Sequence, residues 1–249
     1  MVENLSHLVK PPFGLAYYLN GIDNYILIPL SDSLKKALSE APVTICFWFC
    51  LLNTLDNWHN YLSWTVTNDT GSCIARVEKA NDHRSIYTRW IAETSAKGDN
   101  PDDGGFWVRE PDMGVKPYQW MFYTSKADGN YIYEYLNANL VLKNTQNDKL
   151  ADMTGDLIIE GREHSYMMAE LRIYDRALTD GEISDLYNVR RNIMDGCVLK
   201  LGTVGLVKGG GTKWLDESPY GNHGTVYGAK RVRCCHCNPI MEYGTATPI

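Results

Sequence analysis

The stretch Tyr166-Met-Met-Ala-Glu-Leu-Arg-Ile-Tyr174, continued after three residues by Leu178-Thr-Asp-Gly-Glu-Ile-Ser-Asp-Leu-Tyr187, changes its hydrophobic period midway. In its first part Ala169, Leu171 and Ile173 alternate with Glu170, Arg172 and Tyr174, the period of two expected of a strand with one buried and one wet face. In its second part Thr179 precedes Glu182 by three residues, the spacing of a capping box in which hydroxyl and carboxylate each satisfy a backbone amide at a helix start. Ile183, Leu186 and Tyr187 then fall on one side of a short helix, and Leu178 occupies the staple position that packs on Ile183. A strand that feeds directly into a capped helix is therefore predicted here.

Working outward, the 249 residues suffice for one large β domain. The 16 Tyr and 7 Trp, with abundant Gly and Asn, favour strands and tight turns. A net charge of −6 without any basic stripe excludes a nucleic-acid partner, because neutralising phosphates requires clustered Lys and Arg. The most apolar run, residues 43–52, is about half the length needed to span a bilayer, so membrane insertion is not expected. Residues 1–10 lack the basic and apolar regions of a signal peptide, so the expectation is a chain made without one.

Asn20-Gly21 between two apolar runs predicts a hairpin, and Ser31 or Asp32 caps a helical turn over 31–38. Residues 42–51 form the most hydrophobic strand, with Trp48 read as a core residue. Further strands are expected at 61–67, 72–77, 85–91 and 106–109. Residues 130–142 read as a hairpin in which Asn137-Ala138 stands where Asn-Gly is usual, so a residue with a Cβ must adopt positive φ. The loop 92–105 carries Asp99, Asp102 and Asp103, which fit either a calcium site built of hard oxygens or a solvated turn.

The seven cysteines are ambiguous. Cys46 and Cys50 share a strand face and stand too far apart to bridge. The cluster Cys234, Cys235, His236, Cys237 invites a zinc reading, yet structural zinc needs two spaced ligand pairs, so thiols or disulfides remain the alternative.

Several motifs together resemble laminin-G-like domains of the concanavalin A-like lectin and glucanase class. The closing strand and helix Arg172-Ile-Tyr-Asp-Arg-Ala-Leu178 with Glu182-Ile and Leu186-Tyr is similar to the family's last motif. Leu19-Asn-Gly21 with Asp23-Asn-Tyr-Ile26 resembles its opening, and Thr44, Ile45 and Trp48 its core strand. Trp214-Leu-Asp-Glu-Ser-Pro-Tyr-Gly-Asn-His-Gly224 resembles a segment that in most members precedes the opening strands, whereas here it follows the closing helix. The resemblance implies an all-β fold, a two-sheet antiparallel jelly-roll sandwich of the concanavalin A-like kind with one or two short helices. Residues 1–12 are then a leader, 13–232 the sandwich including a displaced strand within 212–232, and 233–249 a cysteine-containing tail. That strand, around residues 224–232, should pair beside residues 16–20, either in its own molecule or in a neighbour, because an unpaired edge invites association. The Gly-rich run 209–211 is the joint that permits either.

The glucanases of this class carry two glutamates on one strand face in a Glu-Xaa-Asp-Xaa-Xaa-Glu motif, and the chain has no such triplet, so no catalytic residue is assigned. Binding is the expected function, with calcium as the one cofactor that the resemblance offers. Trp58, Trp90 and Trp107, with Asn57 and Asp103, are candidate carbohydrate contacts, since sugars stack their C–H faces on aromatic rings; the competing reading of each Trp is a half-buried sandwich residue. Carried over from the family, calcium would fall to Asp23, Asn24 and Glu170. The functional expectation is a lectin-like binding and assembly module, a structural or surface subunit of a virion or other external assembly, with itself and host glycans as partners. The alternatives are a free-standing calcium-dependent carbohydrate-binding protein, a cytoplasmic location, and a glycan-active enzyme without the usual motif.

Overall fold

A computed structural model of the chain describes residues 14–52, 60–68, 71–80, 83–90, 114–146, 149–160, 165–235 and 238–242. In chain order the strands are β1 (Leu15–Leu19), β2 (Tyr25–Ile28), β3 (Val43–Leu51), β4 (Asn60–Asn68), β5 (Gly71–Ala80), β6 (His83–Arg89), β7 (Met121–Ala127) and β8 (Tyr131–Leu136). They continue with β9 (Asn139–Thr145), β10 (Leu157–Glu160), β11 (Tyr166–Tyr174), β12 (Cys197–Leu201), β13 (Lys213–Trp214), β14 (Gly224–Tyr227), β15 (Lys230–Cys235) and β16 (Asn238–Glu242). The helices are α1 (Asp32–Ser39), α2 (Asp180–Asn188) and α3 (Thr203–Lys208). The third helix precedes the Gly-rich joint at 209–211. Gly205 within it lets the Leu215 carbonyl oxygen approach to 1.9 Å from where a Cβ would stand.

All pairings between strands are antiparallel, and they build two sheets. One runs β16-β15-β1-β11-β3-β7-β8-β9, with β12 also on β11; the other runs β13-β14-β2-β10-β4-β5-β6. β1 pairs with the first half of β11 and β12 with its second half, so the two lie end to end along one edge of that strand. Between the sheets lies a core that includes Tyr17, Leu19, Ile26, Ile28, Phe47, Phe49, Ile159, Met168, Leu171 and Trp214. Burying each such large apolar side chain contributes about 1.5–3 kcal/mol.

The hairpin expected at Asn20-Gly21 is instead a corner. β1 joins the nine-stranded sheet and β2 the seven-stranded one, so the chain crosses between layers there. Asn20 shapes the crossing: its Oδ1 accepts from the amides of Ile22 and Asp23, and its own amide donates to Asn24 Oδ1 at 2.7 Å. A second crossing lies beside it, where β14 pairs with β2 and β15 with β1, and Asn24 Nδ2 donates to Gly228 O between them. The strand expected to seek residues 16–20 therefore does so within its own chain. Beyond residue 232, β15 runs on to Cys235 and β16 pairs back along it.

The strand β11 departs from the expected alternation. Tyr166 and Met168 face the inter-sheet core, as do Leu171 and Ile173, whereas Met167, Ala169 and Tyr174 belong to a second cluster. The phase shifts because a bulge lies between Ala169 and Arg172, with Glu170 at φ +52. The expected wet face is also absent, since every residue of β11 is buried. Its outer side is covered by Leu178, Ile183, Leu186 and Ile193, with Tyr187 stacked 5.5 Å from Trp48. The capping box that starts α2 is formed as read: Glu182 N donates to Thr179 Oγ1, and Thr179 N donates to Glu182 Oε2 at 2.8 Å. The 137–138 turn likewise places Asn137 at φ 51 and Ala138 at φ 62.

Candidate functional site

The two sheets differ on their outer faces. In the nine-stranded sheet β3, β7 and β11 are buried throughout, so this layer is covered on both sides. In the seven-stranded sheet β2 and β10 alternate between buried and half-buried residues, with Ile26, Ile28, Leu157 and Ile159 inward and Tyr25, Leu27, Ile158 and Glu160 outward. This is the period-two pattern of a sheet with one face open.

On that open face Tyr25 and Tyr227 are cross-strand neighbours, their rings stacked with centroids 4.5 Å apart at 17°. Tyr227 keeps 44% of its surface exposed. Register continues the line across the sheet: Tyr25 pairs with Glu160, Glu160 with Ser63, Ser63 with Arg76, and Arg76 with Tyr87. Six strands thus contribute successive polar or aromatic positions to one row. At the usual spacing of about 4.8 Å between strands, the row spans roughly 24 Å.

A smaller open area lies at the β8–β9 end of the nine-stranded sheet, where only the first residue of α2, Asp180, reaches it. Tyr131, Tyr133 and Tyr135 occupy alternate positions of β8. Tyr131 and Tyr133 meet edge to face with centroids 6.1 Å apart. Lys126 Nζ lies 4.7 Å from the Tyr133 ring centre and 5.2 Å from that of Tyr135, and donates to Asp180 Oδ1 and to Leu178 O, each at 3.0 Å. Lys143 Nζ lies 3.9 Å from the Tyr131 ring centre. Asp128 accepts from the Asn130 and Tyr131 amides and from Tyr133 Oη. Burial opposes its ionisation, but these three bonds outweigh that and hold its carboxyl below the usual range. Tyr133 is pushed up to about 12 by burial and then by its bond to Asp128.

Of the residues singled out from sequence, Trp58, Trp107, Asn57 and Asp103 lie outside the described residues, as do Asp99, Asp102, His236 and Cys237. Trp90 is fully buried and is a sandwich residue, not a sugar platform. Its Nε1 donates to Ser125 Oγ at 3.0 Å, Ser125 donates to Glu134 Oε1 at 3.0 Å, and Tyr123 Oη donates to Glu134 Oε2. That network satisfies a buried carboxylate, the usual condition for burying one. Cys46, Cys50 and Cys197 are buried thiols, and burial pushes those of Cys46 and Cys197 up to about 12.

Asp23, Asn24 and Glu170 do not converge on a calcium ion. Leu19, next to the corner, pairs with Tyr166, and Tyr17 with Met168, so Glu170 lies level with the far end of β1. Four residues of strand separate the two levels by roughly 13 Å. Their oxygens are also committed. Asp23 Oδ1 accepts from Asn20 Nδ2 and Asn24 Oδ1 from the Asn20 amide, while Glu170 accepts from Thr203 N at 3.1 Å and from Arg172 at 2.9 Å. Among the described residues no group of three or more His, Cys, Asp or Glu side chains is placed to hold a metal. No helix among them is long and apolar enough to cross a membrane.

Sequence reasoning missed the Tyr25–Tyr227 pair, although the alternation of Tyr25 and Leu27 with Ile26 and Ile28 already marks Tyr25 as outward. The Tyr131-Xaa-Tyr133-Xaa-Tyr135 spacing carried the same signal for the smaller area.

Two antiparallel sheets packed face to face make this a β-sandwich of the lectin-like kind. The chain belongs to the concanavalin A-like lectin/glucanases superfamily, whose sequence pattern matches residues 20–184. Among solved structures it is similar to the binding domain of botulinum neurotoxin DC in complex with rat synaptotagmin II, at 14% identity and a TM-score of 0.53, covering 75% of this chain and 46% of that one. It is similar as well to the receptor-binding domain of botulinum neurotoxin D, at 13% identity and a TM-score of 0.53, covering 74% of this chain and 46% of that one. A third is domain 4 of AbnA, an extracellular arabinanase from Geobacillus stearothermophilus, in complex with arabinotriose; identity is 17%, the TM-score 0.50, and coverage 73% of this chain and 80% of that domain. The chain thus spans about half the length of the toxin domains it matches. At these identities the likeness is one of fold. No curated protein sequence matches the chain.

Proposed function

We propose that the chain is a non-catalytic binding module that holds an oligosaccharide across the open face of its seven-stranded sheet. The observation that carries this reading is the contrast between the two layers: one sheet is covered by α2 and its flanking loops, whereas β2, β10 and β14 present half-buried and exposed side chains around the stacked Tyr25–Tyr227 pair. Aromatic faces with a few polar groups in a shallow site are what sugar rings require. Support comes also from the fold's relatives, two of which are named as binding domains and one of which was solved with arabinotriose. β2, β10 and β14 carry a single carboxylate, Glu160, and glycoside hydrolysis ordinarily needs a pair flanking the bond. Such a face works where glycans are displayed, on an extracellular or virion surface. Tail exchange between copies is not needed to complete this module, because β15 is paired with its own β1.

A glycan array that includes arabino- and gluco-oligosaccharides, followed by calorimetry on the hits, tests the proposal. Tyr227→Ala is expected to weaken binding about tenfold, and Tyr227→Trp to retain it. Equal affinity in wild type and Tyr227→Ala would overturn the assignment of this face, and an array without hits for folded protein would overturn the glycan reading.

A further inference from the structure

The small open area on the other sheet has a charge balance of its own. Among the described residues it holds four charged side chains, and three of them are committed. Lys126 is paired with Asp180 and with Leu178 O, and Asp180 also accepts from Tyr135 Oη at 2.7 Å. Asp128 is saturated by two amides and the Tyr133 hydroxyl. Lys143 is the exception. It is exposed, and among the described residues no carboxylate pairs with it. Among the described residues its ammonium lies against ring faces alone, 3.9 Å from the centre of Tyr131 and 5.3 Å from that of Tyr133.

A lysine on an edge strand ordinarily spreads over many rotamers, and fixing it costs about 1.5–2 kcal/mol of entropy. Here the cation–π contacts bear much of that cost before any ligand arrives, so the positive charge is pre-positioned beside a half-open aromatic surface. Tyr131 is 38% exposed. A ligand whose anionic group reaches Lys143 Nζ therefore brings its adjoining C–H surface within contact of the Tyr131 ring. The committed carboxylates matter as well. Asp180 is paired with the Lys126 ammonium, and the two amide dipoles and the Tyr133 hydroxyl aimed at Asp128 partly offset its charge, so both carboxylates oppose an incoming anion less than their formal charges imply. The chain's net charge of −6 works against anions in general, so binding at this place depends on the Lys143 ammonium.

We infer that the Tyr131–Tyr133–Lys143 shelf is a second binding site, specific for an acidic sugar: a saccharide unit bearing a carboxylate or sulfate that pairs with Lys143 Nζ while its ring lies against Tyr131. Binding is independent of the Tyr25–Tyr227 face, which belongs to the other sheet. It weakens with salt, because an exposed ion pair is screened over the Debye length of about 8 Å at physiological ionic strength. A neutral sugar of the same ring shape has the aromatic contact without the charge, and so binds more weakly.

The test is an amide-and-methyl NMR titration of the full chain with four probes: the methyl glycoside of a carboxylated sugar, a sulfated monosaccharide, a neutral monosaccharide and inorganic sulfate. Saturable shifts at residues 131–145 with one or both acidic sugars are expected, at least tenfold tighter than with the neutral sugar. Lys143→Gln is expected to abolish that preference, Lys143→Arg to keep it, and Tyr131→Ala to weaken binding while Tyr131→Phe does not. Tyr227→Ala serves as the control and leaves these shifts unchanged, so failure of this site and failure of the open-face site are read separately. The inference is overturned by equal binding of neutral and acidic sugars, by Lys143→Gln titrating like wild type, or by sulfate alone reproducing the full effect, which would show a bare anion contact with no sugar recognition.

Discussion

Glu170 joins a strained backbone to a strong set of contacts. A non-glycine residue at φ +52 costs of order 1 kcal/mol or more. The position is nevertheless held, because the bulge turns the carboxylate toward two donors. Oε2 takes the Arg172 guanidinium at 2.9 Å and Oε1 the Thr203 amide at the start of α3. Both members of this ion pair are nearly buried, at 6% and 7% side-chain exposure. Glu217 works beside it, with Oε1 on the Gly205 amide and Oε2 on Lys200 Nζ. Removing one partner of a buried pair leaves the other charge uncompensated, which typically costs about 3–5 kcal/mol. Glu170→Gln keeps an acceptor for Thr203 but strips Arg172 of its counter-charge, and is expected to fall in that range by urea denaturation. A loss below about 1 kcal/mol would show that Arg191 O, the acceptor 3.4 Å from Arg172 Nη1, compensates the guanidinium by itself. The sequence named the acidic residue but assigned it to calcium. Nothing in a linear pattern announces a bulge, and the bulge decides where this carboxylate points.

Elements with local causes were the legible ones. The α2 start was readable because a capping box is written in four consecutive residues, and the positive φ at Asn137 and Ala138 was readable because a two-residue loop fixes its own dihedrals. The faces of β11 were not, because two-sided burial depends on helices and loops arriving from elsewhere. The α2 cap also sets an acid limit. Arg176 binds Glu182 through both terminal nitrogens, at 2.6 and 3.0 Å, and with the Thr179 contacts this holds the Glu182 carboxyl down at about 2, burial notwithstanding. A carboxyl lower in the folded than in the unfolded chain stabilises the fold above its ordinary value near 4.5, and that stabilisation is lost as pH falls toward 2. Melting temperature is therefore expected to drop between pH 5 and pH 2.5 more steeply in wild type than in Glu182→Gln, which should be the less stable of the two at neutral pH. Parallel curves for the two proteins would remove Glu182 from the acid limb.

At the scale of the molecule, the sandwich class was legible, because period-two runs and turns lie in the sequence. The open face was not, because β2, β10 and β14, which present it, come from three distant parts of the chain. The tail is what closes this assembly. β14 covers the free edge of β2 and β15 that of β1, so one continuous segment seals both sheets at their common corner. Trp214 adds a fully buried indole whose Nε1 donates to Gly202 O at 2.9 Å. Asp216 accepts from the amides of Lys200, Ser218 and Asn222, and Asn222 Nδ2 donates to Val198 O, which binds the 214–224 loop to β12. A chain ending at Lys208 loses all of these at once and presents two unpaired edges, each a template for intermolecular pairing. Light scattering of that truncation is expected to show heterogeneous aggregates, while the full chain stays discrete. If the truncation instead remains discrete and melts within a few degrees of the full chain, the tail is an appendage and the corner is held by β1, β2 and β10 without it. The same pair of samples bears on ligand binding, since Tyr227 belongs to the tail: the open face should lose its saccharide together with its edge strand, whereas a truncation that still folds should keep the Lys143 shelf, which no residue beyond Leu178 and Asp180 helps to build.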